Sequence, residues 1–134
     1  MDRKLNVLLA DDSQTVLTQL EGILDEIEDV AVVGLAQNGA AAIRMTNESM
    51  PDLVLLDIVM PGLDGLSALR TIRSLHPEIE VAMVTSLGGD AAKAAEAFKL
   101  GACQVIAKPF DAESIEALVE MIRTDLDTDP APKD

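Results

Sequence analysis

The sequence predicts an α/β fold: a doubly wound parallel sheet of five strands with helices on both faces. Short apolar runs alternate five times with longer stretches of helical period, the pattern of a parallel sheet covered by helices. The length of 134 residues suits one domain and leaves no room in this chain for a second catalytic or DNA-binding module. Hydrophobic residues make up 49% and charged residues 25%, a balance typical of folded proteins rather than disordered chains.

The five strands are predicted from apolar runs that are too short for surface helices. Because both faces of a doubly wound sheet are covered, we expect all five strands to be buried. They span residues 6–10, 30–36, 53–57, 81–85 and 104–107.

The first three helices follow the first three strands. Apolar residues recur at spacings of three and four over residues 16–27, which predicts one buried stripe on the first helix. The second helix covers residues 39–49. The third begins after the Asp64-Gly65 pair, where Asp64 is interpreted as a helix cap rather than a ligand. It ends near His76, because Pro77 disfavours helical geometry in the residue before it.

The last two helices are marked by their ends. Residues 90–100 are rich in alanine, a strong helix former, and Gly101 stands where a left-handed cap is expected. Asp111 is predicted to cap the fifth helix. From residue 125 the chain is polar and contains proline, so we expect a domain over residues 1–124 and a frayed acidic tail over 125–134.

Composition excludes several kinds of function. Ten Lys and Arg against 24 Asp and Glu give a net charge of −14, which disfavours binding to nucleic acid and to anionic membranes. The single cysteine, Cys103, cannot form an internal disulfide, and the single histidine, His76, cannot build a zinc site alone. Any metal must therefore be bound by oxygen atoms. The longest apolar stretch, residues 30–36, is shorter than the roughly 18 residues of a membrane-spanning helix, and no signal peptide is evident, so we expect a cytoplasmic protein.

Three aspartates are predicted to meet at one edge of the sheet. Right-handed crossovers favour the flavodoxin-like strand order 2-1-3-4-5, in which strands one and three are neighbours. Asp11 and Asp12 follow strand one, and Asp57 ends strand three. Adjacent strands lie about 4.8 Å apart, so these carboxylates are within reach of one small cation. Mg²⁺ fits best, because it prefers oxygen ligands in octahedral geometry.

Thr85 and Lys108 stand at the ends of strands four and five, at the same edge. A lysine at a buried strand end is costly unless it is paired, whereas a phosphoryl group held by Mg²⁺, a hydroxyl and an ammonium would be neutralised. The edge therefore has the character of a phosphate pocket without a glycine-rich loop.

Four ordered motifs carry a family resemblance. They are Leu-Leu-Ala-Asp-Asp from residue 8, Leu-Asp-Ile-Val-Met-Pro-Gly-Leu-Asp-Gly from residue 56, Val-Thr-Ser from residue 84 and Lys-Pro-Phe from residue 108. With these motifs at matching spacing, the chain resembles a bacterial two-component response-regulator receiver domain, CheY-like and stand-alone. The likeness covers residues 5–122, almost the whole chain.

The resemblance implies a phosphorylation switch rather than an enzyme. Asp57 would accept a phosphoryl group from a histidine kinase or a phosphotransfer protein, and a carboxylate is an established covalent nucleophile. Asp12, Asp57 and the backbone carbonyl of Val59 would bind Mg²⁺, with Asp11 acting mainly through water, and Mn²⁺ is expected to substitute. Self-phosphorylation from small donors and self-dephosphorylation would be the only reactions of the chain.

The resemblance also implies how the signal leaves the site. The Thr85 hydroxyl would move onto the phosphoryl oxygens, and Lys108, preceding a cis peptide bond, would offset the added charge. The target protein would bind the fourth helix, fifth strand and fifth helix, and the chain would be a monomer or a phosphorylation-dependent dimer. The sequence departs from the family at Val105, where an aromatic residue is usual, and at Val59 and Leu87, whose apolar side chains are expected to slow self-hydrolysis.

Other interpretations remain open at this stage. Asp12 or Asp57 taken singly could cap the helices that follow them. A pseudo-receiver that docks a partner without phosphorylation is the first alternative function. A haloacid-dehalogenase-like phosphatase is less favoured, since its Asp-x-Asp signature is absent after the first strand. A flavodoxin-type electron carrier would need a neutral phosphate loop and aromatic residues that this chain lacks.

Overall fold

The computed structural model describes residues 4–86 and 91–128, with the last four as backbone only. The strands are β1 (Leu5–Ala10), β2 (Val30–Ala36), β3 (Leu53–Leu56), β4 (Glu80–Thr85) and β5 (Gln104–Ala107). The helices are α1 (Gln14–Asp25), α2 (Gly39–Ser49), α3 (Gly65–Leu75), α4 (Ala91–Lys99) and α5 (Ala112–Thr128). All strand pairs are parallel, in the order β2-β1-β3-β4-β5, which confirms the predicted flavodoxin-like fold.

Two apolar layers cover the sheet. Successive side chains of a strand point to opposite faces, and in β1 Leu8 and Ala10 join the core beneath α2, α3 and α4. Val7 and Leu9 join the core beneath α1 and α5. Both cores consist mainly of buried aliphatic side chains, so the central strands are fixed from both sides.

The expectation that all five strands are buried is wrong for the two edge strands. β1 and β3 are buried almost throughout, whereas β2 and β5 are mostly half-buried. The reason is geometric, because an edge strand has a neighbour on one side only.

β2 also contains an irregularity. Val7 pairs with Val32 and Leu8 with Gly34, so Val33 is an extra residue in the ladder, a β-bulge. At the next position a Cβ on Gly34 would lie 2.7 Å from Leu8 Cδ1, so only glycine fits there without movement.

The helix ends are capped by short polar side chains. The side chains of Ser13, Asn38 and Asp64 accept hydrogen bonds from backbone N–H groups in the first turns of α1, α2 and α3. Asp111 does the same for α5, accepting from Ser114 N at 2.9 Å. The capping roles predicted for Asp64 and Asp111 are confirmed. Since Ser13 and Asp64 cap α1 and α3, these ends do not need Asp12 or Asp57.

The ends of α4 and α5 can be compared with the predicted bounds of the last two helices. Gly101 follows α4 with φ of +110°, which confirms the predicted left-handed position. The predicted helix start at Asp90 lies outside the described residues. α5 continues to Thr128, four residues into the stretch that the sequence assigns to the tail. The rest of the predicted tail, from residue 129, lies outside the described residues.

No helix in the described ranges combines the length and apolar character needed to cross a membrane.

Candidate functional site: an acidic cluster at the sheet edge

Three carboxylates meet where β1 and β3 end. Ala10 pairs with Leu56, and the N–H of Asp57 donates to the carbonyl of Ala10 at 3.0 Å. The side chains that follow these paired residues are therefore brought together at one edge. Asp11, Asp12 and Asp57 each offer an oxygen, and the three oxygens lie within 4.8 Å of one another.

The members of the cluster differ in exposure. Asp11 is 2% exposed and Asp57 is 5% exposed, whereas Asp12 faces solvent. The two buried carboxylates receive backbone hydrogen bonds, from Ser13 N to Asp11 Oδ1 at 2.9 Å and from Val59 N to Asp57 Oδ1 at 3.3 Å. These bonds orient the two buried carboxylates.

Lys108 joins the two buried carboxylates. Its Nζ lies 2.7 Å from Asp11 Oδ2 and 3.0 Å from Asp57 Oδ2. Its backbone N–H donates to the carbonyl of Thr85 at 2.8 Å, and the Lys108-Pro109 peptide bond is cis, as expected. The ammonium therefore bridges strands that are far apart in sequence and offsets part of the negative charge of the cluster.

Burial and charge alter the protonation equilibria of this group. Burial raises the pKa of Asp57 above the usual value of an aspartate, with Lys108 acting in the opposite direction and Asp11 adding to the rise. Burial alone would lower the pKa of Lys108, but its hydrogen bonds to Asp11 and Asp57 outweigh that effect and raise it. Asp57 therefore holds its proton more strongly than an exposed aspartate does.

The remaining predicted residues lie around the cluster. Thr85, 3% exposed, is the last residue of β4 and is joined to Lys108 through its carbonyl. Val59 is 55% exposed, so its side chain lies towards solvent while its N–H points to Asp57. Val105 is half-buried against the core beneath α4. Leu87 lies outside the described residues.

The residues present fit Mg²⁺. In octahedral coordination at about 2.1 Å, ligand oxygens are about 3.0 Å apart when adjacent and about 4.2 Å apart when opposite. The oxygens of Asp11, Asp12 and Asp57 lie within 4.8 Å of one another, close enough for the cluster to hold such an ion. The donor set consists of oxygen atoms only, as a hard cation requires.

Several contacts in the site were not predicted from the sequence. The sequence placed the ammonium of Lys108 beside the carboxylates, but its direct bonds to Asp11 and Asp57 were not predicted, because the lysine was paired with a phosphoryl group. The capping role of Ser13 was also missed, although a serine between a strand and an amphipathic helix is a recognised signal.

A groove of about 870 Å³ between α1 and α5 opens beside Lys108. Its lining is mainly apolar and includes Val16, Ile23 and Phe110, with Glu26 and Glu116 as the charged members besides Lys108. Lys108 is thus shared between this groove and the acidic cluster.

Fold and site together define a class of protein. A family model described as the response regulator receiver domain matches residues 7–120, and the chain belongs to that family. Receiver domains are signalling modules of two-component systems, and they bind Mg²⁺ at an acidic pocket.

Particular relatives refine the comparison. The chain is 41% identical over 110 residues to a protein-glutamate methylesterase/protein-glutamine glutaminase of Caldanaerobacter subterraneus, covering 81% of this chain and 30% of that protein. It resembles the response regulator domain of Thermotoga maritima CheB with a TM-score of 0.83 and 36% identity, covering 96% of this chain and all of the other. The CheX-CheY-BeF3-Mg²⁺ complex of Borrelia burgdorferi matches with a TM-score of 0.83 and 29% identity, covering 90% of both chains.

The chain spans about a third of the length of the curated relatives it matches. Its likeness to them therefore concerns the receiver domain and not the esterase activity of the whole proteins.

Proposed function

We propose that the chain is a phosphorylation-dependent signalling switch in which Asp57 accepts a phosphoryl group from a phosphohistidine of a partner protein. The observation that carries the proposal is the buried cluster of Asp11, Asp57 and Lys108 beside the exposed Asp12. Lys108 supplies one positive charge to two buried carboxylates, so one negative charge stays uncompensated, and a buried charge costs free energy unless it is paired.

The reaction is a transfer between two nucleophiles. A carboxylate oxygen of Asp57 forms a bond to phosphorus while the bond between phosphorus and the donor imidazole breaks. The imidazole nitrogen keeps the electron pair and takes a proton from solvent. The product is an acyl phosphate, and the negative charge at Asp57 increases from one toward two.

The chain's own residues prepare this step. The hydrogen bond from Val59 N orients one oxygen of Asp57, which leaves the other for attack. Lys108 is placed to exchange its contact with Asp57 for a contact with the new phosphoryl oxygens. Asp12, Asp57 and the Val59 carbonyl would hold Mg²⁺, with Asp11 acting mainly through water. The ion supplies charge neutralisation of the phosphoryl oxygens when bound.

Thr85 and the surface around β5 are proposed to carry the signal outward. The Thr85 hydroxyl would bind the phosphoryl group and shift the loop that follows it, which favours one of two existing conformations. α4, β5 and α5 would then present a changed surface to a protein target. Since no aromatic side chain stands at position 105, either Val105 would report the change through packing or α4 would rearrange the surface instead. We propose that the switch acts in the cytoplasm.

The decisive experiment measures the intact mass after incubation with Mg²⁺ and a small acyl phosphate. We expect one added phosphoryl group in the wild type and none in Asp57→Asn. The matched control is Asp64→Asn, which changes an exposed aspartate seven residues away and retains a capping side chain. An unmodified wild type would favour the pseudo-receiver alternative, and modification of Asp57→Asn would place the acceptor elsewhere.

A further inference from the structure

The connection between β2 and α2 contributes no side chain to the acidic cluster, yet it contacts both loops that form it. On one side, the carbonyl of Ala36 accepts a hydrogen bond from Asp11 N at 3.0 Å. The neighbouring Gln37 Nε2 donates to Gln14 Oε1, at the start of α1, at 3.4 Å. The connection is therefore tied to the loop that carries Asp11 and Asp12.

On the other side, the connection contacts the β3–α3 loop, residues 57–64. Gly39, buried as the first residue of α2, lies directly against the backbone of Leu63. A Cβ at Gly39 would stand 2.3 Å from the Leu63 carbonyl oxygen and 3.1 Å from its carbonyl carbon. These are backbone atoms, so they cannot be avoided by a side-chain rotation.

The β3–α3 loop is closed at its other end by a second glycine. Gly65 N–H donates to the carbonyl of Ile58 at 2.7 Å, and a Cβ at Gly65 would stand 1.9 Å from the carbonyl oxygen of Asp57. The loop therefore forms a tight ring that contains Val59, whose N–H orients the Asp57 carboxylate. Displacing Leu63 strains this ring.

The loop, and not the helix, would move if Gly39 gained a side chain. α2 is fixed by buried Ala41, Ala42 and Thr46 and by the cap from Asn38. The loop segment from Pro61 to Leu63 is exposed, and Gly62 stands at φ of +73° with nothing within 4 Å of its missing Cβ. A side chain at Gly39 would therefore displace the β3–α3 loop rather than α2.

We propose that Gly39 is a positioning residue for the metal site: by lacking a Cβ, it seats the Leu63 backbone against α2 and sets the spacing between the Val59 peptide and the Asp11–Asp12 loop. This inference rests on the proposed function, because the metal is the ligand of the switch. Groups that orient metal ligands commonly change metal affinity when they are altered, although they do not touch the ion.

The test compares Gly39→Ala with Gly22→Ala, using Mn²⁺ as the probe and electron paramagnetic resonance of the free ion as the readout. Gly22 is also a helical glycine, in α1, but nothing lies within 4 Å of its missing Cβ. We expect Mn²⁺ binding to weaken about tenfold in Gly39→Ala and to remain unchanged in Gly22→Ala. The amide NMR signals of Val59 and Asp11 in the metal-free protein should shift in the first variant only.

Phosphorylation by a small acyl phosphate gives a second readout. At limiting Mg²⁺ Gly39→Ala should react more slowly than the wild type, and at saturating Mg²⁺ the two rates should converge. A general loss of folded protein would lower both rates alike. If Gly39→Ala does not fold, Leu63→Gly removes the Leu63 Cβ that lies beside Gly39 and increases the backbone freedom of the loop, so weaker Mn²⁺ binding is expected there too.

The outcomes are separable. A wild type that binds no Mn²⁺ would overturn the proposed function itself. A wild type that binds Mn²⁺, with equal affinity in Gly39→Ala, or in Leu63→Gly where the first variant does not fold, would overturn the role of Gly39 alone.

Discussion

At the scale of single residues, the buried carboxylate of Asp57 opposes the stability of the metal-free protein. Its raised pKa means that the folded state holds the proton more tightly than the unfolded state does. Stability therefore falls as pH rises through the folded pKa, and the loss persists at neutral pH.

We predict that Asp57→Asn increases the free energy of unfolding of the metal-free protein at pH 7, because the amide removes a buried charge beside Asp11. The difference from wild type should shrink as pH falls below the folded pKa of Asp57. Urea denaturation in the presence of a chelator, followed by circular dichroism over a pH series, measures it. A variant less stable than wild type at pH 7 would show that the bond to Lys108 outweighs the cost of burial.

The buried hydroxyl of Thr46 also lowers the stability of the fold. It is fully buried in α2, and its hydroxyl has no hydrogen-bond partner. We predict that Thr46→Val, which keeps the shape and removes the unpaired hydroxyl, raises the free energy of unfolding by about 1 kcal/mol. Thr15→Val, at an exposed position of α1, is the control and should change stability little. Destabilisation by Thr46→Val would indicate that a water molecule satisfies the hydroxyl.

Val59 bears on the lifetime of the phosphorylated state. Its side chain is exposed beside the acceptor and cannot orient a water molecule toward phosphorus. We predict that Val59→Asn shortens the half-life of the acyl phosphate several-fold, measured by intact mass after the donor is removed. Val33→Asn, at an exposed valine of β2, should leave the half-life unchanged. Equal half-lives in Val59→Asn and wild type would exclude this explanation of a slow hydrolysis.

At the scale of elements, the helix caps determine where the loops of the site end. Asp64 accepts from Ser67 N at 2.9 Å and thereby fixes the start of α3, where the β3–α3 loop closes. We predict that Asp64→Ala lowers the free energy of unfolding by about 1 kcal/mol, whereas Asp64→Asn has a much smaller effect. Chemical denaturation of both variants checks the difference. Equal losses would assign the effect to the charge of Asp64 and not to its hydrogen bond.

Most of the helix and strand boundaries were predictable from local sequence patterns. Helical period, the Asp64 and Asp111 caps and the glycine at position 101 are local signals, and the elements they predicted formed within one or two residues, apart from the longer C-terminal end of α5. The contact between Gly39 and the Leu63 backbone was not predictable. It joins two segments that are distant in sequence, and it produces no periodic pattern of residue types. The half-burial of β2 and β5 was missed although the predicted strand order places both at the edges of the sheet, because their apolar composition was taken as a sign of full burial.

At the scale of the whole molecule, strand order followed from the handedness of parallel crossovers, and the acidic cluster followed from strand order. Three carboxylates from two loops could therefore be placed together before the structure was known. The bridging position of Lys108 could not, because it depends on which charges remain unpaired when the site holds no phosphoryl group.

The net charge of −14 acts on the molecule as a whole. Mutual repulsion among carboxylates favours expansion of the chain, and salt screens that repulsion. We predict that the melting temperature of the chelator-treated protein rises when NaCl is increased from about 10 mM to about 200 mM. Thermal melts followed by circular dichroism test this, and the rise should become smaller at acidic pH, where carboxylates are protonated. A melting temperature independent of salt would mean that local ion pairs already neutralise the repulsion among the carboxylates.

The bulge at Val33 has a consequence for crowded solutions. β2 is an edge strand of seven apolar residues with no charge and no proline. Such a strand can pair with the edge strand of another molecule and so promote aggregation. An inserted residue makes the outward N–H and C=O groups fall out of step with those of an incoming strand. The bulge can thus prevent pairing at β2 without the lysine or proline that commonly protects an edge strand.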